Sequence, residues 1–554
     1  MLFEKLLLCC TIALVASDPI VSLPKGQVRG VTLSSVNNRT IHVFRGIPFA
    51  KPPIGKLRFK TPDEPEPWTD ILDAIADSNI CFSCEYNSEK ESEDCLYLNV
   101  ITPALELNET SKKLPVLFSI YGGGFRAGSA GYGNHAPDWW AENDIIYVNF
   151  NYRVGAFGFL TTGDLKLPGN YGLKDQQLAL KWTYENIHLF GGDKDQITIH
   201  GQSAGGASVT YQILNKKSAG MFRAAIAESG SAFSGWAYTR PGDTYAVDLV
   251  SIMQNGTQPS DNSSTFIYDY LSKANAKGID LATEPLFKAG KDALPTIEPK
   301  HEDAFITELQ YSLMENGDFN RVPLIIGINS EENIFKAADL NSFKKKAETY
   351  DKNPATLLPK SLGVLSAENE TLVGQTMKDV YAGTGRSFSE NLGGLVAYLS
   401  DNSYTRPTIK FAEMQSQYTD VWFYQFSYKG KMGHQLDINI PGAEKVAHGE
   451  EVHYYTVYKD ENYDNTKFGD FPKNDVLTHF RIIELWSNFI KYLDPTPNSS
   501  TLLSNITWPV ITPVNYTYLN INATLELRTS PKSPRYTIWK QVFETFGSKP
   551  YLGF

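Results

Sequence analysis

A five-residue segment, Gly201-Gln202-Ser203-Ala204-Gly205, constrains this chain more than any other. It follows the β-like run Gln196–His200 and precedes the helix-compatible run Ala207–Leu214. A strand that turns directly into a helix leaves the residue at the bend strained, and glycines two positions to either side let the backbone pass through. The serine hydroxyl is thereby lifted above the sheet, with the N-terminus of the next helix aimed at any negative charge developing beside it. An ordinary Gly-Ser loop shares these residue types but not the strand before them or the helix after them. The segment therefore predicts an α/β fold that presents Ser203 as a nucleophile.

The rest of the chain supplies the sheet that such a bend requires. Leu114–Tyr121, Ile145–Asn151, Val322–Asn329 and Val421–Tyr428 are apolar strand candidates, and helical patterns such as Leu173–Leu189 lie between strands. Strand, glycine turn and helix in repetition predict a mainly parallel central sheet flanked by helices. The more polar stretches Thr239–Asn320 and Phe335–Met414 read as helical insertions around that sheet.

Leu117–Tyr121 runs into Gly122-Gly123-Gly124. Backbone N–H groups can approach a substrate carbonyl there without side chains intervening, so Gly123 and Gly124, with Ala204 after the nucleophile, form a candidate oxyanion hole. An activated serine also needs a histidine to take its proton and a carboxylate to orient that histidine, in the chain order Ser, acid, His. His448, in Ala447-His448-Gly449, suits a loop dipping into a site, with His434 as its rival by spacing. His453 and His479 sit in helix-like stretches. For the acid, the strand ending at Asn329 leads into Ser330-Glu331-Glu332, and spacing does not separate the two glutamates. The other glutamate is expected to make a solvent-exposed or capping contact.

With 42% apolar and 20% charged residues in 554, the chain reads as globular. A net charge of -11 and the lack of a basic run weigh against nucleic acid as partner. Residues 1–17, with Lys5, the apolar run Leu6–Ala16 and the small residues Ala16 and Ser17, read as a signal peptide too short to span a bilayer. The C-terminal Lys549–Phe554 carries no anchor tail or retention signal. A secreted, extracellular protein without a stable membrane anchor is expected, with residues 18–554 as a single catalytic domain. Asn38, Asn108, Asn255, Asn262, Asn369, Asn498, Asn505, Asn515 and Asn522 head glycosylation sequons. Of the 5 cysteines, Cys9 and Cys10 leave with the signal, and Cys81, Cys84 and Cys95 allow one disulfide and one free thiol. Cys81-x-x-Cys84 has metal-ligand spacing, but no second such pair follows, and no metal is expected.

Further matches stand in register: Phe44-Arg45-Gly46-Ile47-Pro48-Phe49-Ala50, Ser92-Glu93-Asp94-Cys95-Leu96-Tyr97-Leu98-Asn99-Val100, Asn151-Tyr152-Arg153-Val154-Gly155, Gly169–Gln176 and Phe190–Asp193. On these the chain resembles the type-B carboxylesterase and cholinesterase family, in particular its secreted insect carboxylesterases, over essentially its whole length after the signal. The resemblance implies the α/β-hydrolase fold, with the triad acid on Glu332, the base on His448 and oxyanion donors on Gly123, Gly124 and Ala204. It also implies structural ion pairs Arg45–Glu93 and Arg153–Asp175. The family's first disulfide ends on Cys95, which is paired here with Cys84, Cys81 being the alternative. Trp236 matches an acyl-pocket position, although a plain core tryptophan fits the sequence as well. Gln202 stands where cholinesterases carry glutamate, and the segment between Cys84 and Cys95 lacks their cation-binding tryptophan, so choline esters are not expected substrates. Asn333 stands where many relatives have glycine, and no cysteine after Cys95 remains for the family's later disulfides.

The implied activity is a serine carboxylesterase that hydrolyses small carboxylic esters through an acyl-enzyme on Ser203, without cofactor or metal. Within the class the alternatives are a juvenile hormone esterase or an odorant- or pheromone-degrading esterase. Outside it, the alternative is a catalytically silent adhesion or binding protein on the same fold, a reading the retained Ser, His and acid weigh against. The sequence carries no sign of oligomeric state.

Overall fold

A computed structural model describes residues 18–83, 85, 88–105, 112–132, 136–239, 242–363, 365–433, 437–512 and 514–554. The signal segment, Cys84, Asn108 and His434 lie outside the described residues. Eleven strands form one sheet. They are β1 Val31–Ser34, β2 Thr40–Pro48, β3 Tyr97–Thr102, β4 Leu114–Ile120, β5 Ile146–Phe150, β6 Gly192–Gln202, β7 Ala224–Glu228, β8 Leu324–Asn329, β9 Val421–Phe426, β10 Thr517–Ile521 and β11 Glu526–Thr529. Their order is β11-β10-β9-β8-β7-β6-β4-β5-β3-β2-β1. The run β10-β9-β8-β7-β6-β4-β5 is parallel throughout, and the strands at the two edges are antiparallel. This is the expected α/β-hydrolase sheet.

Parallel strands covered on both faces read as near-continuous apolar runs, which is why β4, β8 and β9 stood out in the sequence. Side-chain alternation divides them between two cores. Val116, Phe118 and Ile120 of β4 join one, and Leu117 joins the other beside Trp140, Tyr147 and Ile226. The insertions are largely helical as read. Tyr245–Met253, Ser264–Lys273 and Ala276–Lys288 occupy the first, and Leu340–Lys352, Ala367–Ala382, Leu392–Ser400 and Arg406–Gln415 the second.

Two expectations are corrected. The disulfide joins Cys81, not Cys84, to Cys95, with Cα atoms 5.0 Å apart. Cys81 ends a short strand that pairs in parallel with Glu91–Ser92, and both cysteines of the bond are buried in the core. Glu93 pairs not with Arg45 but with Arg58, through Nε and Nη2 at 2.6 Å each. Arg58 is buried and its third nitrogen is held by the carbonyls of Leu271 and Ala274, so its charge needs a carboxylate. Arg45, more exposed, lies 3.5 Å from Asp77. The pair Arg153–Asp175 forms as implied, two-pronged at 2.8 and 2.7 Å and fully buried. Among the sequon asparagines, Asn38, Asn255, Asn262, Asn498, Asn505 and Asn515 are exposed, and Asn369 and Asn522 half-exposed.

Candidate active site

β6 ends at Gln202 and the helix Ala204–Leu214 starts two residues on, so Ser203 alone makes the bend, at φ 60° and ψ -123°. That is a region a residue with a side chain holds only when its surroundings impose it. Here the Ser203 N–H donates to the Glu228 carbonyl at 2.8 Å, and the Ser203 carbonyl accepts from the Ala207 N–H at 2.9 Å. Packing leaves no room for side chains around it. A Cβ on Gly205 would lie 2.1 Å from the Ile120 carbonyl oxygen, and one on Gly201 2.4 Å from the Gly205 carbonyl carbon. A third glycine, Gly230, would place a Cβ 2.1 Å from the Ser203 carbonyl oxygen. Sequence reasoning found the first two and missed the third, which only the pairing of β6 with β7 brings close.

The glycine run after β4 passes against this bend. A Cβ on Gly122 would sit 2.6 Å from the Gln202 oxygen and 3.1 Å from the Ser203 Cβ. Gly123 and Gly124 hold φ +105° and +64°, conformations that favour glycine at both positions. Ala204 is the first residue of its helix, so its N–H has no acceptor within the helix. The glycine run thus passes beside the serine at Gly122, with Ala204 following directly on it.

The predicted acid and base, Glu332 and His448, stand on the loops that follow β8 and β9. Glu332 is fully buried. Its Oε1 accepts from the Asn329 N–H at 2.7 Å, and its Oε2 lies 2.7 Å from His448 Nδ1. The His448 N–H also donates to the Glu332 carbonyl, at 3.1 Å. A buried carboxylate on Nδ1 fixes the proton there and leaves the Nε2 lone pair free to accept. At that Nε2 stands the Gln202 side-chain amide, 3.3 Å away. The Tyr404 ring lies over the imidazole at 4.3 Å between centroids. Trp236 packs on Tyr404 at 5.3 Å and on Phe125 at 6.4 Å, and its indole N–H donates to the Ser403 carbonyl, which puts it one ring removed from His448.

Glu331, the neighbouring acid, does not reach His448. It is buried rather than exposed, accepts from the Glu444 N–H at 3.1 Å, and burial pushes its carboxyl up to about 7. His453 and His479 serve packing, the latter with Nδ1 2.7 Å from the Tyr454 carbonyl oxygen and its ring against Trp139. Asn329, Tyr404 and Glu451 were not found in the sequence. Asn329 ties the site together: its Nδ2 donates to the Ala447 carbonyl and to Glu451, whose carboxyl burial and then Glu228 and Glu332 push well above the ordinary range. Asn329 ends a strand and Glu451 follows the histidine by three positions, whereas Tyr404, within a helical stretch, carried no signal.

Among the described residues, no three His, Cys, Asp or Glu side chains are grouped to hold a metal ion, and no helix is long and apolar enough to cross a membrane. The carboxylesterase family model matches residues 17–539. A juvenile hormone esterase of Tribolium castaneum is 33% identical over 534 residues, 90% of this chain and 87% of the relative. Venom carboxylesterase-6 of Apis mellifera is 30% identical over 552 residues, 95% of this chain and 94% of the relative. The crystal structure of juvenile hormone esterase from Manduca sexta with OTFP covalently attached is similar at a TM-score of 0.81 and 27% identity, covering 96% of this chain and 99% of that one.

Proposed function

The chain belongs to the carboxylesterase family, and on that premise we propose that Ser203, His448 and Glu332 are the triad with which it hydrolyses esters. It is a carboxylic-ester hydrolase. Ser203 Oγ bonds to the ester carbonyl carbon as His448 Nε2 takes its proton, and the carbonyl oxygen becomes an oxyanion held by the N–H groups of Gly123, Gly124 and Ala204. When the tetrahedral intermediate collapses, the bond to the alcohol oxygen breaks and that oxygen leaves with the proton from Nε2. Water then repeats the sequence on the acyl-enzyme, losing a proton to Nε2, and the proton returns to Ser203 Oγ as the acid departs. Glu332 holds the imidazole in the tautomer that accepts at Nε2 and stabilises the imidazolium. The Gln202 amide, resting at Nε2, yields its place to the serine hydroxyl when substrate binds.

The observation that carries this reading is the 2.7 Å contact between a fully buried Glu332 and His448 Nδ1, beside a serine held at positive φ. Labelling with an organophosphate tests it: a covalent adduct on Ser203 and loss of ester turnover in Ser203→Ala are expected. An unlabelled Ser203, or turnover surviving in the variant, would return the chain to a binding role. Similarity to two juvenile hormone esterases favours juvenile hormone as a second substrate reading within the class, decided by kcat/KM on hormone against short-chain acetate esters. The same proposal includes removal of residues 1–17 on export, a single catalytic domain over 18–554, and secretion, checked by N-terminal sequencing of the exported protein.

A further inference from the structure

The residue after Glu332 is Asn333, which is fully buried. Its backbone N–H donates to Ser400 Oγ at 3.0 Å, and its side-chain Nδ2 donates to the Leu399 carbonyl at 2.8 Å. Glycine, which many relatives carry at this position, would keep only the first of these bonds. Leu399 and Ser400 end the helix Leu392–Ser400, and the chain passes from them into a π-helical turn, Asp401–Thr405. A π turn widens the helix locally and is frequent at functional sites. The Asn333 amide meets the carbonyl ladder just where it widens. Within that turn stands Tyr404, whose ring lies over the His448 imidazole at 4.3 Å between centroids.

Both ends of the turn are anchored away from the triad. Asp401 accepts from the Tyr381 hydroxyl and pairs with Arg535, each at 2.8 Å, and the Arg406 guanidinium lies over the Trp539 ring at 4.7 Å. Asn333 ties the turn to the triad acid. The contacts close a circuit: Glu332 holds the edge of His448 at Nδ1, Tyr404 covers its face, and Asn333 joins the two holders through Leu399 and Ser400. Glu332 is the carboxylate at the imidazole, with Glu451 and Glu228 behind it, while Glu331 turns to the Glu444 N–H. The uncharged Gln202 amide stands at Nε2, and Arg126 lies within electrostatic reach of Tyr404. When Nε2 takes the serine proton the imidazole becomes a cation, and an aromatic face this close favours a cation. Resting on the acyl-transfer reading above, we propose that Asn333 is a positioning residue that keeps Tyr404 over His448, where the ring stabilises the imidazolium.

The test is a double-mutant cycle on the intact protein, read on p-nitrophenyl acetate across pH. The acid limb of kcat/KM reports the base in the free enzyme, whichever way the ester is seated. A ring that favours the charged imidazole raises that limb, so Tyr404→Leu should move it down by about half a pH unit or more, with a fall in kcat. Tyr404→Phe, which keeps the ring, should retain most of the rate and the limb. Asn333→Ala should lower kcat by about fivefold, as loss of one buried hydrogen bond does, with a smaller change in KM and a limb moved the same way. In the Tyr404→Leu background the same substitution should cost less than about twofold, because the ring through which it acts is gone. Should Asn333→Ala fail to fold, Ser400→Ala breaks the other half of the tie and takes its place in the cycle. Effects that simply add would overturn the proposal, since Asn333 would then act by another route. A limb that stays in place or moves up in Tyr404→Leu would overturn it too, the ring then serving only to bury the imidazole. A wild type that turns over no ester, with Ser203 unlabelled, would instead overturn the acyl-transfer reading itself.

Discussion

Replacing Glu332 by glutamine changes no volume, yet the structure predicts a severe loss. One carboxylate oxygen accepts from the Asn329 N–H at 2.7 Å, and the other faces His448 Nδ1 at 2.7 Å. A glutamine can keep only one acceptor. With its oxygen toward Asn329, its NH₂ meets His448 Nδ1, and the imidazole proton must move to Nε2. With the amide flipped, NH₂ confronts a buried N–H that loses its acceptor, at about 1–3 kcal/mol. The first arrangement asks only for a tautomer change and therefore wins. It leaves Nε2 protonated, unable to take the Ser203 proton. The equivalent tautomer error in a serine protease lowers kcat about 10⁴-fold, or about 5 kcal/mol of barrier, and a similar loss is expected here. Burst and steady-state kinetics on a p-nitrophenyl ester measure it, with thermal unfolding as a control for folding. A kcat within about tenfold of wild type in a folded Glu332→Gln would refute the reasoning, as would a larger loss in Glu331→Gln.

Glu331 has its own signature in stability. Its carboxyl ionises near the ordinary 4.5 when unfolded and about 7 when folded, so the folded chain holds a proton the unfolded one has lost between those values. Stability from this group is present below pH 4.5 and falls by about 3 kcal/mol as pH rises toward 7. Glu331→Gln should flatten that fall in Tm, and parallel Tm–pH curves for variant and wild type would count against it. Gly205→Ala forces a Cβ to 2.1 Å from the Ile120 oxygen, a backbone atom with nowhere to go. A loss of about 3 kcal/mol or more in unfolding free energy is expected, and a wild-type Tm would mean the bend relaxes. Peptide mapping should recover Cys81 joined to Cys95, with Cys81→Ala costing about 3 kcal/mol and Cys84→Ala leaving that bond intact.

Much of this fold was legible because its strands are buried on both faces, and such strands cannot hide: LPVLFSI and LIIGIN have no polar alternation to blur them. The nucleophile bend was legible for a similar reason, since backbone-to-backbone packing at Gly201 and Gly205 admits only glycine. Choices between near-identical candidates were not. Cys81 and Cys84 differ by three positions, which spacing does not separate, and the bond falls on Cys81. Glu331 and Glu332 are adjacent, and the expectation that one would be exposed failed because the turn after β8 buries both. Glu93 was assigned to Arg45 by resemblance, whereas the need to neutralise a buried Arg58 decided its partner. The tie from Asn333 to Leu399 and Ser400 was out of reach altogether. A single asparagine after a strand carries no message until the fold brings a distant helix end to its side chain.

Ser203 and Glu332 follow closely on the ends of β6 and β8 and His448 stands on the loop after β9, while the two helical excursions leave the sheet before β8 and before β9 and return to it. The second excursion nevertheless reaches the site, through Tyr404, whose ring lies over His448. An excursion can be lengthened, shortened or exchanged for that of another esterase while the strand ends keep their spacing. A graft of residues 335–414 between such enzymes would have to carry an aromatic ring at position 404 to keep the imidazole covered.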